Sequence, residues 1–146
     1  MDDLITIDRP IQQVFAYVTD HANDRYWKPF VTESKQISAG PIGVGTRFEI
    51  ATLAWNYRRA GEVEILEYKP HSYYVYQAHD KIYPFIARLW FSESASGTEI
   101  RGQVEFQTKG LWKALTPLFL MFIRGQSKQT FARLKQVIES SGEKKI

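Results

Sequence analysis

The residues best suited to acid–base chemistry are His79, Asp80 and Tyr83, which stand together in the stretch HDKIY. A histidine titrates near neutral pH, so beside a carboxylate it could pass protons in an aldol-type cyclisation or a dehydration. However, adjacent strand residues point to opposite faces, and His-Asp-Lys is ordinary composition for a turn between two strands. His79 and Tyr83 are therefore weak catalytic candidates, and a surface turn is the alternative.

A second group, His21 with Asp24 and Arg25, stands at the start of a short predicted helix near the mouth of any pocket that this helix covers. A solvated helix start explains these residues without a function. His71 and His79 are too far apart on one predicted strand to share a metal ion, and no metal-ligand spacing occurs elsewhere. We therefore expect neither a metal nor a cofactor.

Sequence motifs that would identify an enzyme are missing. There is no nucleophile elbow, phosphate loop or dinucleotide fingerprint, and the glycine-rich stretch from Gly40 to Gly45 is predicted to join two strands. The chain has no cysteine, which excludes disulfides, thiol catalysis and zinc–thiolate sites. Enzymatic activity is thus uncertain, and the sequence favours a protein that is not an enzyme.

The longest helical pattern runs from Leu111 to Ser140, with Thr116 as N-cap and Pro117 at the first helical position. About 24 residues at about 1.5 Å each give a helix of about 36 Å, long enough to cross a small domain. Steps of three and four place seven residues on one face, namely Leu115, Phe119, Phe122, Gln126, Thr130, Leu134 and Val137. Such a face must pack on something broad, and a sheet is the only candidate.

Two polar residues, Gln126 and Thr130, interrupt this apolar face between Phe122 and Leu134. One interpretation is that this face of the helix turns toward solvent near its middle. The other is that the polar pair faces an internal space that holds a ligand.

The composition is that of one aromatic-rich domain. The 146 residues include eight Tyr, nine Phe and four Trp, and aromatic side chains often line small-molecule pockets, although strands also favour them. The first ten residues lack the basic and apolar regions of a signal peptide, and no run approaches the length of a spanning helix. A cytoplasmic protein is expected.

The charge is unevenly distributed. The net charge is +3, but the part from Lys109 onward carries eight basic and two acidic residues. Lys113, Arg124, Lys128 and Lys135 form a basic stripe on the long helix, and Leu120 and Met121 lie off the sheet-facing side. A solvated face, a homodimer contact or peripheral membrane docking could each explain these features. No aromatic residues interleave with the basic ones as nucleic-acid grooves require, so no nucleic-acid partner is expected.

The period of the apolar pattern changes along the chain. Leu4–Asp8 is predicted as a strand, and helical spacing follows over Pro10–Thr19 and Ala22–Trp27. A period of two then predicts consecutive antiparallel strands. Besides a shorter run after Val31, they are Thr46–Thr52, Tyr57–Tyr68, His71–His79, Ile82–Phe91 and Thr98–Thr108. An antiparallel sheet curled around a straight helix leaves space that side chains cannot fill evenly, so a cavity is expected.

The order of elements and several short motifs resemble the START-like superfamily, in particular its polyketide cyclase/dehydrase and lipid-transport branch. The motifs are Arg9-Pro10 before VFAYVTD, Trp27-Lys28-Pro29, GVGTRF from Gly43 to Phe48, Gly97-Thr98 and the helix end ARLKQVIES. The resemblance implies the α+β helix-grip fold. In it, about seven curved antiparallel strands wrap a long C-terminal helix, with two short helices after the first strand. One domain over residues 1–141 and a loose tail at 142–146 are expected.

The resemblance implies a pocket between the sheet and the C-terminal helix. Its wall would include Trp27, Phe30, Phe48, Ile50, Tyr73, Gln77, Phe85, Leu89, Val104, Phe106, Phe122, Gln126 and Thr130. A slip of one residue in the strand register would replace Tyr73 and Gln77 by Tyr74 and Tyr76.

The first functional hypothesis is binding or transport of a small hydrophobic ligand, such as a lipid, sterol, quinone or polyketide-like molecule. The alternatives are a cyclase or dehydratase that uses His79 or a pocket tyrosine, and a module that docks on a protein or a membrane.

Overall fold

The computed structural model describes residues 2–54, 57–79, 84–107 and 128–140. The elements are β1 (Asp2–Ile7), α1 (Ile11–Thr19), a 3₁₀ turn (His21–Asn23), α2 (Asp24–Trp27), β2 (Val31–Gln36), β3 (Arg47–Ala54), β4 (Tyr57–Lys69), β5 (Tyr73–His79), β6 (Phe85–Ser94), β7 (Gly97–Phe106) and a C-terminal helix α3 over residues 128–140. The predicted α+β order is confirmed.

The strands form one seven-stranded antiparallel sheet in the order β1-β7-β6-β5-β4-β3-β2. Strands β2 to β7 are neighbours in sequence order, as short turns require, and β1 pairs with β7 at the far edge. Bulges occur between Val31 and Glu33 in β2 and between Ile65 and Glu67 in β4. Such bulges bend strands and increase their twist, which suits a sheet that curves around helices.

One face of the sheet, here called the inner face, carries the hydrophobic core. Phe48 of β3 and Ile65 of β4 are fully buried there. Helix α1 packs on this face through Val14, Phe15 and Val18, as its helical spacing predicts. The ring of Phe15 lies 4.9 Å from that of Phe91, centroid to centroid, in an edge-on contact.

Helix α3 packs on the same face. Leu134 and Ile138 are fully buried, and Phe131 is half-buried against the core. A Cβ atom at Gly102 of β7 would lie 3.3 Å from the Phe131 ring, so the glycine permits close approach of helix and strand. Val137, predicted on the packed face, is half-buried. The predicted N-cap of this helix lies outside the described residues.

The β1–α1 turn, the β6–β7 turn and the end of α3 meet in a region that we call the closed end, formed by residues 6–9, 97–98 and 135–139. Gly97 has φ +132°, and a Cβ atom there would lie 2.1 Å from the carbonyl oxygen of Ile7. Thr98 Oγ1 donates a hydrogen bond of 2.8 Å to the Arg9 carbonyl. The Glu139 carboxylate accepts from the Asp8 N–H at 2.8 Å.

Candidate functional site

Strand β5 turns Tyr74 and Tyr76 toward the inner face, and the prediction that Tyr73 and Gln77 face the pocket was wrong. The register decides this, because Tyr74 pairs with Leu89, an inner-face residue of β6. Residues directly opposite each other in a sheet share a face, and alternate residues of one strand do too.

The residues on the outer face of β5 explain why the sequence pattern predicted the wrong face for Tyr73 and Gln77. Tyr73 packs beside Trp90 in a tilted contact with ring centroids 5.4 Å apart, and Gln77 Nε2 donates a 3.2 Å hydrogen bond to Gln107. Val75 on this same outer face is only 2% exposed. Both faces of the strand therefore carry apolar side chains, so hydrophobicity alone does not fix the register.

A buried polar cluster stands beside the inner-face tyrosines. Asp24 is 1% exposed, and its Oδ2 lies 2.8 Å from His21 Nδ1 and 2.9 Å from Lys28 Nζ. Lys28 Nζ is also 3.4 Å from the Tyr76 hydroxyl. His21 is fully buried, with its ring 4.4 Å from that of Tyr76. We call His21, Asp24, Lys28 and Tyr76 the polar wall.

One short segment of the chain supplies three of the four wall residues, and β5 supplies Tyr76. The Asp20 carboxylate caps the 3₁₀ turn by accepting from the Ala22 N–H at 3.1 Å, and Ser34 Oγ of β2 donates to the Ala22 carbonyl at 2.8 Å. These bonds hold the segment to the sheet. Spacings of three and four residues then bring His21, Asp24 and Lys28 to one side of the short helix.

Electrostatics keep Asp24 and Lys28 charged. Burial by itself would raise the pKa of Asp24, but attraction to Lys28 and His21 with their hydrogen bonds lowers it below the ordinary value. Burial likewise would lower the pKa of Lys28, but attraction to Asp24 and to Tyr76 raises it. The two groups therefore form an ion pair across the neutral pH range.

The polar wall is not internally complete. Within the described residues, His21 Nε2, Asp24 Oδ1 and the Trp27 indole Nε1 are buried without a hydrogen-bond partner. A buried polar atom without a partner costs about 1–3 kcal/mol, so such atoms usually meet water or a ligand.

A cavity of about 130 Å³ lies against this wall. Its apolar lining includes Val31, Ile50, Val63, Tyr76, Ala78 and Phe85, and its polar lining consists of Asp24, Lys28, Thr52, Arg59, Glu62 and His79. The space therefore combines an apolar lining with several charged and hydrogen-bonding groups, which is a common composition of a small-molecule site.

The structure brings some of the other predicted pocket residues to the cavity and leaves others in the core. Ile50 and Phe85 line it. Trp27, Phe48 and Leu89 are buried, Val104, Phe106 and Thr130 are half-buried, and Phe30 is 36% exposed at the start of β2. Phe122 and Gln126 lie outside the described residues, so the predicted polar pair on the long helix is described only at Thr130.

The acid–base candidates take different positions. His79 lies on the outer side of β5, where its Nε2 is 3.8 Å from the Glu64 carboxylate. The side chain therefore does not face the cavity, although His79 contributes to its edge. Tyr83 and Asp80 lie outside the described residues. His71, predicted in a strand, lies in the turn before β5 with φ +62°.

Expectations about partners and metals rest partly on undescribed segments. Lys113, Leu120, Met121 and Arg124 lie outside the described ranges, so nothing here places the predicted docking edge. Among the described side chains, no three His, Cys, Asp or Glu residues come together as a metal site would require. In the same part of the chain, no helix is both long and apolar enough to cross a lipid bilayer.

Sequence reasoning missed the polar wall. His21 and Asp24 were predicted as a solvated helix start, yet both are buried. The usable signal was the spacing of His21, Asp24 and Lys28 at i, i+3 and i+7, which places a cation, a carboxylate and an imidazole on one helical side. The segment begins after the capping residue Asp20 and ends before Pro29.

Comparison with known proteins places the fold in a family. The family model described as polyketide cyclase/dehydrase and lipid transport matches residues 2–139. No protein of curated function matches the chain.

Solved structures with low sequence identity share the architecture. Protein TTHA0849 from Thermus thermophilus superposes with a TM-score of 0.78 at 12% identity, covering 97% of each chain. Protein NE0264 from Nitrosomonas europaea gives 0.77 at 12% identity, covering 98% of this chain and 96% of that one. The di-domain ARO/CYC StfQ from the steffimycin biosynthetic pathway gives 0.73 at 12% identity, over 98% of this chain and 51% of StfQ. With a helix-grip fold and a family match over nearly its whole length, the chain belongs to the polyketide cyclase/dehydrase and lipid-transport family.

Proposed function

We propose that this protein binds a small hydrophobic ligand, with at least one ring, in the cavity beside the polar wall. The observation that carries the proposal is the cavity itself, apolar along Ile50, Val63 and Phe85 and polar at Asp24 and Lys28. An engineered apolar cavity of about 150 Å³ in another protein binds benzene, so about 130 Å³ accommodates one ring, and the rest of a larger ligand can extend through the open side of this cavity. Each Å² of apolar ligand surface removed from water contributes about 25 cal/mol.

The relatives suggest the chemical class. The solved StfQ belongs to the steffimycin pathway and is described as an ARO/CYC protein. A planar, ring-containing or polyketide-like ligand fits the aromatic lining formed by Tyr76 and Phe85, whose ring centroids lie 6.1 Å apart in an edge-on contact. A flat ring can make offset or edge-on contacts with such side chains.

The alternative function is that of a cyclase or dehydratase. General acid–base catalysis works best with groups whose pKa lies near the working pH. The ion pair shifts both groups away from that range, because the lowered pKa makes Asp24 a weak base and the raised pKa makes Lys28 a weak acid. The pair therefore suits binding and orientation of a ligand better than proton transfer.

A cavity-filling variant tests the proposal. Titration with N-phenyl-1-naphthylamine, whose fluorescence rises in apolar surroundings, should give saturable binding to the native protein. Ala78 lines the cavity and is 8% exposed, so Ala78→Phe should fill the space and weaken binding about tenfold or more. Ala16→Phe, on the exposed side of α1, is the matched control and should bind normally.

Two outcomes would overturn the proposal. One is a native protein that does not bind the probe, and the other is unchanged affinity in a folded Ala78→Phe protein. Chemical conversion of a bound polyketide-like compound, absent from a blank, would instead favour the enzyme. Recovery of the compound unchanged favours a carrier.

A further inference from the structure

Lys28 and Asp24 of the polar wall have a hydrogen-bond donor and an acceptor, respectively, that the described protein atoms do not use. The Lys28 ammonium has three N–H donors, and the structure gives it two oxygen partners, Asp24 Oδ2 and the Tyr76 hydroxyl. Asp24 Oδ1 is buried without a partner in the described part of the chain. Both residues are among those that line the cavity.

The neighbours of Asp24 and Lys28 keep these groups in place. His21 Nδ1 contacts Asp24 Oδ2, and the ring of His21 packs 5.2 Å from that of Phe48, so the carboxylate has little freedom to rotate. Lys28 Nζ lies 5.0 Å from the Trp27 ring centroid and 5.2 Å from that of Tyr76, in cation–π geometry. The donor and the acceptor are thus pre-organised, which reduces the entropy cost of binding.

Three chemical groups at the end of a ligand can be compared for their fit to Lys28 and Asp24. A hydrocarbon end would leave both Lys28 and Asp24 unsatisfied. A carboxylate could accept from Lys28, but it would lie beside the negative charge of Asp24. The charged lining residues Asp24, Lys28, Arg59 and Glu62 sum to no net charge that would attract it. A hydroxyl group both accepts and donates, so one oxygen can accept from Lys28 Nζ and donate to Asp24 Oδ1.

We propose that the polar end of the ligand is a neutral hydroxyl, as in an alcohol, phenol or enol, held between Lys28 Nζ and Asp24 Oδ1. This inference rests on the proposed function and adds the class of head group that the cavity selects. Lys28 and Asp24 act as binding and specificity-determining residues, and His21 acts as a positioning residue for Asp24.

Three probes of nearly equal size distinguish these head groups. They are 2-naphthol, 2-methylnaphthalene and 2-naphthoate, each measured at pH 7 by displacement of N-phenyl-1-naphthylamine. Hydrogen bonds to charged groups contribute about 1.5–3 kcal/mol, so 2-naphthol should bind about tenfold or more tightly than 2-methylnaphthalene. 2-Naphthoate should bind more weakly than 2-naphthol.

A matched pair of lysine variants assigns the preference to the wall. Lys28→Met keeps the length of the side chain and removes the donor, so the preference for 2-naphthol over 2-methylnaphthalene should fall to about onefold. Lys35→Met, on the exposed side of β2 where the lysine is 70% exposed, should keep the native preference. The native ratio requires no variant, so the inference is tested even if Lys28→Met does not fold.

Each possible result either supports or contradicts the inference that the ligand carries a hydroxyl group. A hydroxyl preference that is lost only in Lys28→Met supports the inference. Equal binding of 2-naphthol and 2-methylnaphthalene by the native protein, tightest binding of 2-naphthoate, or a preference that survives in folded Lys28→Met would overturn it and leave the proposed function standing. No binding of any probe, including the dye, would overturn both.

Discussion

The closed end and the polar wall are both networks of polar groups in contact with the core, but they differ in completeness. At the closed end, Lys135 Nζ donates to the Thr6 carbonyl at 3.0 Å and to Glu139 at 2.6 Å, and Glu139 also accepts from Asp8. At the polar wall, Asp24 Oδ1 and His21 Nε2 are buried without partners in the described chain. At the closed end, Gly97 has no room for a side chain, whereas the polar wall borders a cavity.

This difference in hydrogen bonding predicts that variants in the two regions change different properties, stability in one and ligand binding in the other. A satisfied network in tight contact holds elements together, and the closed end joins β1, β7 and α3, which are far apart in sequence. An unsatisfied network costs free energy in the empty protein, and a ligand that completes it recovers that cost. Variants at the closed end should therefore change folding alone, and variants at the polar wall should change ligand selection as well.

The largest effect is expected from Gly97→Ala. A Cβ atom would lie 2.1 Å from the Ile7 carbonyl oxygen, and φ +132° is unfavourable for any side chain. The variant should lose about 3 kcal/mol or more of unfolding free energy, measured by urea denaturation. Any folded fraction should keep the native preference for 2-naphthol, because the polar wall is untouched.

Gly43→Ala is the control for this substitution. No atom lies within 4 Å of a Cβ atom at Gly43, so its stability should stay within about 0.5 kcal/mol of the native value. A Gly97→Ala protein as stable as the control would show that the close approach at the closed end is not required.

A smaller loss, about 2 kcal/mol, is expected from Asp24→Asn, which removes one partner of a buried ion pair while Lys28 stays 22% exposed. The pKa of Asp24 is lowered by folding, so its stabilisation is present above about pH 4 and is lost as the pH falls through the folded-state pKa. Asp24→Asn should therefore lose less stability than the native protein on acidification below about pH 4. Urea denaturation at several pH values across that range measures this loss. An equal loss of unfolding free energy in the two proteins would contradict an ionised Asp24 in the folded state.

Most of the fold could be predicted from the sequence, because its signals agree. The apolar spacing of Ile11, Val14 and Val18 predicts α1, and alternation in β7 from Thr98 to Val104 predicts a strand with one buried face. These elements pack on one side only, so their periodicity is clear. The β4 bulge was not predictable, since an inserted residue leaves no pattern in a single sequence.

The site was predictable only in part. Ile50 was identified because β3 alternates cleanly at its start, with Arg47 and Glu49 on the face opposite Phe48 and Ile50. Phe85 also lines the cavity, although β6 carries Ile86 and Trp90 on its other face. Tyr73 and Gln77 were assigned to the wrong face because β5 is apolar on both faces, with Val75 buried on the outer side. Asp24 was interpreted as part of a solvated helix start and Lys28 was not assigned to the site, because charged residues are usually solvent-exposed and only tertiary packing shows that these two neutralise each other.

The most direct test of ligand binding at the polar wall is a methyl NMR titration of the native protein with 2-naphthol. Ile50 and Val63 line the cavity, and Ile7 and Ile138 are buried away from its lining. We expect the methyl resonances of Ile50 and Val63 to shift in a saturable way while those of Ile7 and Ile138 stay in place. Saturating 2-naphthol that leaves the Ile50 and Val63 resonances unmoved would contradict a ligand site at the polar wall.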